Sequence, residues 1–260
     1  MTILVGVRCE DGIVIGSDSS ATFGGQVGVR TIEQQAQKVF VVADKIIIAG
    51  SGEVGLGQRF TEAVRVAWEE RKFRDLASGE AFGKILCAVG LNDFQQTAMR
   101  PGTFAAMVAF PNKKDLFLCE LAITNFQPEL KVKGTWFCSM GSGQQIADPF
   151  LGFLKRVFFP NKITQPDFDG LLPTLKQGMF MVTWTLRHAI ELNPGGINGP
   201  PQMAVLQMQN DGAVANYVDP AELEEHQGFV AAAEEYLGKF WDTQSATDAE
   251  ELPQREESSE

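Results

Sequence analysis

Short, mostly apolar runs separated by polar and turn residues recur over the first fifty positions, as is typical of β-strands. Residues 2–8 and 13–17 form two such runs, and the Asp11-Gly12 pair between them is a strong hairpin signal. Residues 38–42 and 45–49 form a second pair of runs, rich in β-branched residues and separated by Ala43-Asp44. The pattern therefore predicts two hairpins in this part of the chain.

After Gly52 the spacing of apolar residues changes to that of a helix. Residues 54–72 place Phe60 and Val64 on one face, and a second helix is predicted for 76–98. Strands return at 103–110, 116–121 and 134–139, followed by helices at 144–157 and 168–192. A last hairpin, 203–208 with 213–218, precedes a helix that starts after Asp219-Pro220, an N-cap with proline at the first helical position.

Strands and helices thus follow one another in blocks, which argues against a parallel sheet built from βαβ units. Two stacked antiparallel sheets with helices on both outer faces would bury this pattern in a single α+β domain, predicted to span residues 2–242. Residues 243–260 contain a dense acidic run and are predicted to form a solvated, disordered tail.

Composition and charge narrow the class of function. The 260-residue chain has a net charge of −11, which argues against nucleic acid or an anionic membrane as the main partner, since both attract basic surfaces. Two histidines and four scattered cysteines give no ligand-like spacing, so no metal site is expected. Neither a signal peptide nor a membrane-length apolar run is present, so the expected compartment is a reducing cytoplasm.

The segment GSGEVG, residues 50–55, matches the dinucleotide-binding pattern G-x-G-x-x-G between a predicted strand and a predicted helix. The strand before it belongs to a hairpin, however, and its helix is followed by another helix rather than by a parallel strand. A tight strand-to-helix turn that presents backbone N–H groups explains the segment better than a nucleotide site does.

Three polar residues gain significance when they are considered together. Thr2 follows Met1, so removal of Met1 would leave a hydroxyl and a free α-amine on one residue, the minimal equipment of an N-terminal nucleophile. An unperturbed α-amine titrates near pH ~7.7–8.0 and can act as a base at neutral pH. Asp18 ends the second predicted strand and Lys38 opens the third. Taken singly, Asp18 is typical of a turn and Lys38 of a solvated strand edge.

The segment TILVGVRCEDGIVIGSDSSATFG resembles the N-terminus of mature proteasome β subunits and of HslV, which are N-terminal-nucleophile hydrolases. A lysine at the start of the third strand and a G-x-G at the end of the fourth also match, and CSMGSGQQIA resembles the family's later G-S-G. The resemblance covers about residues 2–240 and implies a four-layer α-β-β-α sandwich. The matching site positions are Thr2, Asp18, Lys38, Gly52 and Ser142.

The resemblance implies a role for each of these positions. Thr2 Oγ1 would attack the scissile carbonyl while its α-amine takes the proton, and Lys38 would be the cation that favours the developing alkoxide. Asp18 would orient Lys38. The Gly52 N–H would stabilise the oxyanion, and Ser142 would join the hydrogen bonds around the amine.

The resemblance also implies a pocket for the residue before the cleaved bond, lined mostly by small or apolar side chains. An apolar side chain is therefore the expected occupant. Two residues compete for the place of a later family aspartate: Glu191, which lies shortly before a Gly-Gly pair, and Asn198, found by counting back from the strand at 203. The predicted pocket residues are Ala21, Thr22, Ala36, Phe40, Gly50 and Val54.

The predicted function is that of a threonine-type endopeptidase subunit, assembled in stacked hexameric or heptameric homo-oligomeric rings and acting on unfolded proteins or peptides. This reaction is expected to need no metal and no organic cofactor. The extended acidic C-terminus favours a bacterial proteasome homologue, with an ATP-dependent unfoldase as a candidate partner. Two alternatives stay open: a catalytically silent ring subunit of the same fold, and an N-terminal-nucleophile amidase acting on a small molecule.

Overall fold

Two five-stranded antiparallel sheets form the middle of the molecule. The structure, a computed structural model, describes residues 1–23, 32–97, 103–159, 172–192 and 196–250. The side chains of residues 22–23, 32–33 and 244–250 lie outside that description.

The first sheet has the strand order β10-β1-β2-β11-β12. Its register pairs Leu4 with Ser17 on one side and with Met140 on the other. The residues just before β1 therefore lie beside the residues just after β2 and β10. The strands are β1 (Leu4–Arg8), β2 (Gly12–Ser17), β10 (Phe137–Met140), β11 (Gln202–Gln209) and β12 (Gly212–Tyr217).

The second sheet has the strand order β5-β6-β7-β8-β9, and a separate two-stranded hairpin, β3 with β4, follows β2. These strands are β3 (Ser20–Phe23), β4 (Ile32–Gln35), β5 (Val39–Val42), β6 (Ile46–Gly52), β7 (Phe104–Asn112), β8 (Asp115–Leu121) and β9 (Pro128–Leu130).

Helices cover the outer face of each sheet. Helices α1 (Val54–Glu69) and α2 (Gly79–Phe94) pack on the second sheet. Helices α3 (Gln144–Phe158) and α4 (Leu175–Leu192) pack on the first sheet, and α5 (Pro220–Glu250) packs against α4. A short 3₁₀ turn, Lys133–Thr135, precedes β10. The predicted four-layer α-β-β-α sandwich is confirmed.

Strand alternation divides the buried residues into three apolar layers. In β1, Val5 and Val7 belong to the layer under α3 and α4, whereas Leu4 belongs to the layer between the sheets, with Met107 of β7. Successive side chains of a strand point to opposite faces, so a sheet covered on both sides needs a nearly continuous apolar run. The fully buried segment Leu4–Val7 satisfies that need.

The observed elements differ from the predicted ones at several points. Residues 134 and 135, predicted as the start of a strand, belong to the 3₁₀ turn, and β10 begins only at Phe137. The strands β3, β4 and β9 were not predicted. Helix α4 begins at Leu175 rather than at 168, and residues 168–171 lie outside the described residues. Helix α5 continues to Glu250, so residues 243–250 are helical where a disordered tail was expected, and residues 251–260 are not described.

Among the described residues, no helix combines the length and the apolar character needed to span a membrane. All four cysteines are buried as free thiols, one in α2 and the others in or beside strands: Cys9, Cys87, Cys119 and Cys138.

Candidate active site

Thr2 is held at the entrance to β1 by the turn that follows β10. Its backbone N–H donates to Ser142 Oγ at 3.1 Å, and its carbonyl oxygen accepts from the Gly143 N–H at 3.2 Å. Gly141 has a φ of +89°, and a methyl group at that position would collide with the Thr2 carbonyl. The turn therefore needs glycine to approach Thr2 this closely.

Asp18 lies completely buried behind Thr2, immediately after β2. Its Oδ1 accepts from the Ile3 N–H at 3.0 Å, and its Oδ2 accepts from the N–H groups of Ser20 at 3.2 Å and Asn198 at 3.5 Å. Three backbone donors from separate segments thus fix both carboxylate oxygens, in addition to the ion pair with Lys38.

Lys38 connects that carboxylate to the threonine hydroxyl. Its ammonium lies 2.7 Å from Asp18 Oδ1 and 3.2 Å from Thr2 Oγ1, and it also donates to the Met1 carbonyl at 3.2 Å. The residue is buried, so water screens this positive charge only weakly. The arrangement directs a fixed cation at an oxygen that would gain negative charge on losing its proton.

Gln202, the first residue of β11, was not predicted as part of the site. Its Oε1 accepts from the N–H groups of Lys38 at 2.8 Å and Val39 at 3.4 Å, and its Nε2 donates to the Ala36 carbonyl at 2.8 Å. One amide side chain of the first sheet thereby fixes the start of β5 in the second sheet. In sequence it is 164 residues from Lys38, and only the packing of the two sheets brings them together.

A cleft opens directly beside Thr2, between β5, β6 and the start of α1. Gly52 lies at its edge with a φ of +113°, and a methyl group there would collide with the Thr103 carbonyl. The lining residues are Met1, Thr2, Ala21, Ala36, Gln37, Lys38, Phe40, Ile48, Gly50, Ser51, Gly52, Glu53, Val54, Gly57, Gln58, Thr61 and Phe104.

The cleft contains most of the predicted pocket. Ala21, Ala36, Phe40, Gly50 and Val54 line it, while the side chain of Thr22 lies outside the described residues. Its walls also carry polar side chains that the sequence did not suggest, namely Gln37, Glu53, Gln58 and Thr61.

Of the two residues that competed for the later aspartate position, only Asn198 reaches the site. Its N–H contacts Asp18 and its carbonyl accepts from the Ser19 N–H at 3.3 Å, so it acts through its backbone. Glu191 instead lies exposed on α4, where it pairs with Arg187 at 2.8 Å. The assignment of Glu191 to the site was wrong, because the helix turns its side chain to the outer surface.

The GSGEVG segment forms the edge of this cleft rather than a nucleotide site. Gly50 and Gly52 end β6, which pairs with antiparallel neighbours on both sides, and α1 is followed by α2. A dinucleotide fold requires a parallel strand after the helix. In the described part of the chain, no cluster of three or more His, Cys, Asp or Glu side chains is arranged to hold a metal ion.

Comparison with known proteins assigns the family. The family model for proteasome subunits matches residues 2–161, which is more than half of the chain. This chain belongs to the proteasome subunit family. The resemblance found in the sequence is thus confirmed over the part that carries Thr2, Asp18, Lys38, Gly52 and Ser142.

Individual relatives are proteasome β subunits of archaea. The chain is 29% identical over 163 residues to a proteasome subunit beta of Nanoarchaeum equitans, covering 62% of this chain and 76% of that protein. It is 37% identical over 148 residues to a proteasome subunit beta 1 of Thermococcus onnurineus, covering 56% and 66%. A similar protein of Thermococcus kodakarensis matches at 32% over 91 residues, 35% of this chain and 42% of that one. The bacterial origin expected from the acidic C-terminus stays a prediction.

Proposed function

We propose that this proteasome subunit is a threonine-type endopeptidase whose nucleophile is the hydroxyl of Thr2 after removal of Met1. The observation that carries the proposal is the position of the Lys38 ammonium, 3.2 Å from Thr2 Oγ1 and 2.7 Å from Asp18 Oδ1. A silent subunit would have no need to hold a buried ion pair against a threonine hydroxyl. The names of the relatives, all proteasome β subunits, agree with this class.

The reaction begins when Thr2 Oγ1 attacks the scissile carbonyl carbon and the Thr2 α-amine accepts the hydroxyl proton. The carbonyl electrons move to oxygen, and the N–H of Gly52 at the cleft edge donates to this oxyanion. Lys38 favours the negative charge on the attacking oxygen, and Asp18 holds Lys38 in place. Ser142, 3.1 Å from the Thr2 nitrogen, orients the amine.

The amine then passes its proton to the leaving nitrogen as the C–N bond breaks. The first product leaves, and the rest of the substrate remains as an ester on Thr2 Oγ1. Water, deprotonated by the same amine, attacks the ester carbonyl, releases the second product and restores the hydroxyl. The chain's own groups suffice for each proton transfer.

The cleft beside Thr2 is where the substrate residue before the scissile bond binds. We propose that its deeper part, with Ile48, Phe40 and Phe104, accepts an apolar side chain. In the cell we expect unfolded proteins or peptides as substrates, a cytoplasmic location, stacked hexameric or heptameric rings of this chain and an unfoldase that feeds them. Membership in a family of subunits supports assembly in general terms.

The test is covalent labelling with a peptide epoxyketone, whose adduct requires a hydroxyl and a free amine on the same residue. Intact-mass and peptide-mapping mass spectrometry should find an N-terminus at Thr2 and one adduct there. Thr2→Ala should abolish the adduct and peptide hydrolysis. Thr61→Ala is the matched control, because Thr61 lines the same cleft but its hydroxyl donates to the Gly57 carbonyl of its own helix.

The outcomes separate the alternatives. A free Thr2 with neither adduct nor turnover would assign the chain as a silent subunit. Turnover of small amides without peptide cleavage would assign it as an amidase. Peptide hydrolysis that persists in Thr2→Ala, or an N-terminus that retains Met1 in active protein, would overturn the mechanism, since the base would then be a peptide nitrogen.

A further inference from the structure

A buried hydroxyl near the end of β10 is tied to a carboxylate in the first half of α3. Ser139 lies in β10 with 1% of its surface exposed, and its Oγ donates to Asp148 Oδ1 at 2.5 Å. The other carboxylate oxygen, Asp148 Oδ2, accepts from Gln144 Nε2 at 3.0 Å. We call these three side chains the α3 strap. Each carboxylate oxygen therefore has its own donor, one from the strand and one from the first residue of the helix.

Local structural preference does not account for the strap. The serine lies between Cys138 and Met140 in a buried strand, where a hydroxyl costs free energy unless it is hydrogen-bonded. Aspartate is a poor helix former, and Asp148 lies beyond the first turn of α3, where the helix dipole no longer favours it. Two residues that local rules disfavour thus satisfy each other, an exception of the kind that folded proteins show near functional sites.

The strap closes the segment that holds Thr2. Its strand end and its helix end are residues 139 and 148, and the contacts to Thr2 come from between them. Ser142 Oγ accepts from the Thr2 N–H at 3.1 Å, and the Gly143 N–H donates to the Thr2 carbonyl at 3.2 Å. Gln144, the next residue along the chain, is the one whose side chain the strap holds. The carboxylate is therefore linked to both sides of the turn that fixes Thr2.

We propose that Asp148 is a positioning residue, which fixes Ser142 against the Thr2 amine through the other two side chains of the strap. The inference rests on the proposed function, because a free Thr2 amine that transfers protons needs an acceptor at a set place. Without the strap, the turn after β10 would let Ser142 move away from the amine. A displacement of about 1 Å at a reacting group can cost about a hundredfold in rate.

The strap is distinct from the contacts that dock α3 on the sheet. Ala147, Leu151 and Leu154 are completely buried in the apolar layer under α3 and α4, and they hold the body of the helix. The N–H groups of Ile146 and Ala147 also donate to the Gly143 carbonyl, both at 3.0 Å. These contacts remain when the carboxylate is removed, so its loss should affect the precision of the turn more than the fold.

The experiment measures kcat, KM and the pH profile of kcat/KM for the full-length protein with a fluorogenic peptide, below the melting midpoint of each variant. Asp148→Ala should lower kcat by about tenfold to about a hundredfold, with KM within about twofold of wild type. The acid limb of the profile should move to lower pH, because the protonated amine loses a fixed acceptor. Lys38 and Asp18, the other charged groups at Thr2, are unchanged in this variant.

Three further variants separate positioning from a general loss of structure. Asp148→Asn keeps an oxygen for Gln144 and an amide that can donate to Ser139, so it should recover at least about half of the wild-type kcat. Gln144→Ala breaks one of the two bonds at an exposed residue and should lower kcat by about threefold to about tenfold. Gln145→Ala, an exposed neighbour in the same turn, is the matched control and should behave as wild type does.

Ser139→Ala and Ser139→Ala/Asp148→Ala complete a double-mutant cycle. If the strap acts as a unit, the double variant should lose no more activity than the more affected single variant. Additive losses, equal losses in Asp148→Asn and Asp148→Ala, or an Asp148→Ala with the kcat and pH profile of wild type would each overturn the positioning role. A wild type with neither turnover nor an epoxyketone adduct at Thr2 would overturn the proposed function and the positioning role together.

Discussion

At the scale of single residues, the site depends on an ion pair that is almost excluded from water. Asp18 is completely buried and Lys38 nearly so, and the carboxylate also accepts three backbone N–H bonds. Breaking a buried pair by removing one partner leaves an uncompensated charge, which costs far more than an exposed pair contributes. The proposed activity and the stability of the fold therefore depend on the same two side chains.

Lys38→Met removes the cation but keeps most of the side-chain volume. We expect peptide hydrolysis to fall by at least about a hundredfold, because the alkoxide loses its stabilising charge. The buried Asp18 carboxylate then lacks its ion partner, at a cost of about 3–5 kcal/mol. Fluorogenic peptide assays and thermal melts measure the two effects.

Lys38→Arg separates the effect on activity from the effect on stability. Arginine can still pair with Asp18, but it presents a different donor geometry to Thr2. Stability should be largely restored while activity stays low. Lys84→Met, on the exposed side of α2, should change neither. A Lys38→Met variant with wild-type turnover would contradict the assigned role.

Gln202→Leu should lower kcat between about tenfold and about a hundredfold. The variant removes the acceptor for the Lys38 and Val39 N–H groups and the donor to Ala36, and each unpaired buried polar group costs about 1–3 kcal/mol. Steady-state kinetics and the rate of epoxyketone labelling measure the effect. Gln209→Leu, exposed at the far end of the same strand, is the control, and equal losses in both variants would assign the effect to the strand as a whole.

At the scale of elements, the junction between β6 and α1 shapes the edge of the cleft. Gly52 has a backbone conformation that residues with a Cβ rarely adopt, whereas Gly55, three residues later in α1, has open space around the position of a Cβ. The two glycines of one motif therefore serve different needs, and substitution should affect them in opposite directions.

Gly52→Ala should destabilise the protein by about 1–3 kcal/mol through strain and collision with the Thr103 carbonyl, and should abolish activity because the cleft edge moves. Gly55→Ala should instead stabilise α1 by about 0.5–1 kcal/mol. Melting temperatures of the two variants test the pair of expectations. A stable, active Gly52→Ala would show that the positive φ is not needed there.

The longer elements were predictable from the sequence and the short ones were not. The buried strands β1, β2, β6 and β7 have continuous apolar runs, and α1 has a clear apolar face. β3 and β9 have neither signal: the first is the four-residue SATF, half of it polar, and the second is a three-residue strand that begins with proline. Their pairing comes from tertiary context rather than from local preference.

The same distinction holds for the site. Residues at strand ends, such as Asp18, Lys38 and Gly52, could be identified from the order of strands and a family resemblance. Gln202 could not, because its contacts cross between elements 160 or more residues apart in sequence. Asn198 was a candidate by position, but its contact with Asp18 through the backbone could not be predicted, because the two residues are 180 positions apart. The choice between Glu191 and Asn198 required knowing which way α4 turns its last residues.

At the scale of the whole molecule, α5 carries a pH-sensitive group into its contact with α4. His226 is buried, and burial lowers its pKa below the ordinary value of 6.5, although Glu222 and Glu225 act in the opposite direction and Lys176 adds to the lowering. The unfolded chain therefore binds a proton at a higher pH than the folded one. The contribution of His226 to stability is therefore fully present above the pKa that its imidazole has in the unfolded chain. This contribution is lost as the pH falls below that value.

The melting temperature should thus be lower at about pH 5 than at about pH 7.5, and His226→Gln should reduce that difference. His188→Gln, which replaces the other histidine, serves as the comparison. Circular dichroism melts in buffers of matched ionic strength provide the measurement. A difference that is the same size in wild type and His226→Gln would remove His226 as its source.

The burial of all four thiols has a practical side for anyone assaying this protein in a crude extract. Burial raises the pKa of Cys119 to about 12 and shifts the other three upward as well, so the reactive thiolate form is scarce and shielded. Iodoacetamide should therefore inactivate contaminating cysteine peptidases while leaving the proposed hydrolysis at Thr2 unchanged. Alkylation before the assay then removes the background from cysteine peptidases without any purification tag.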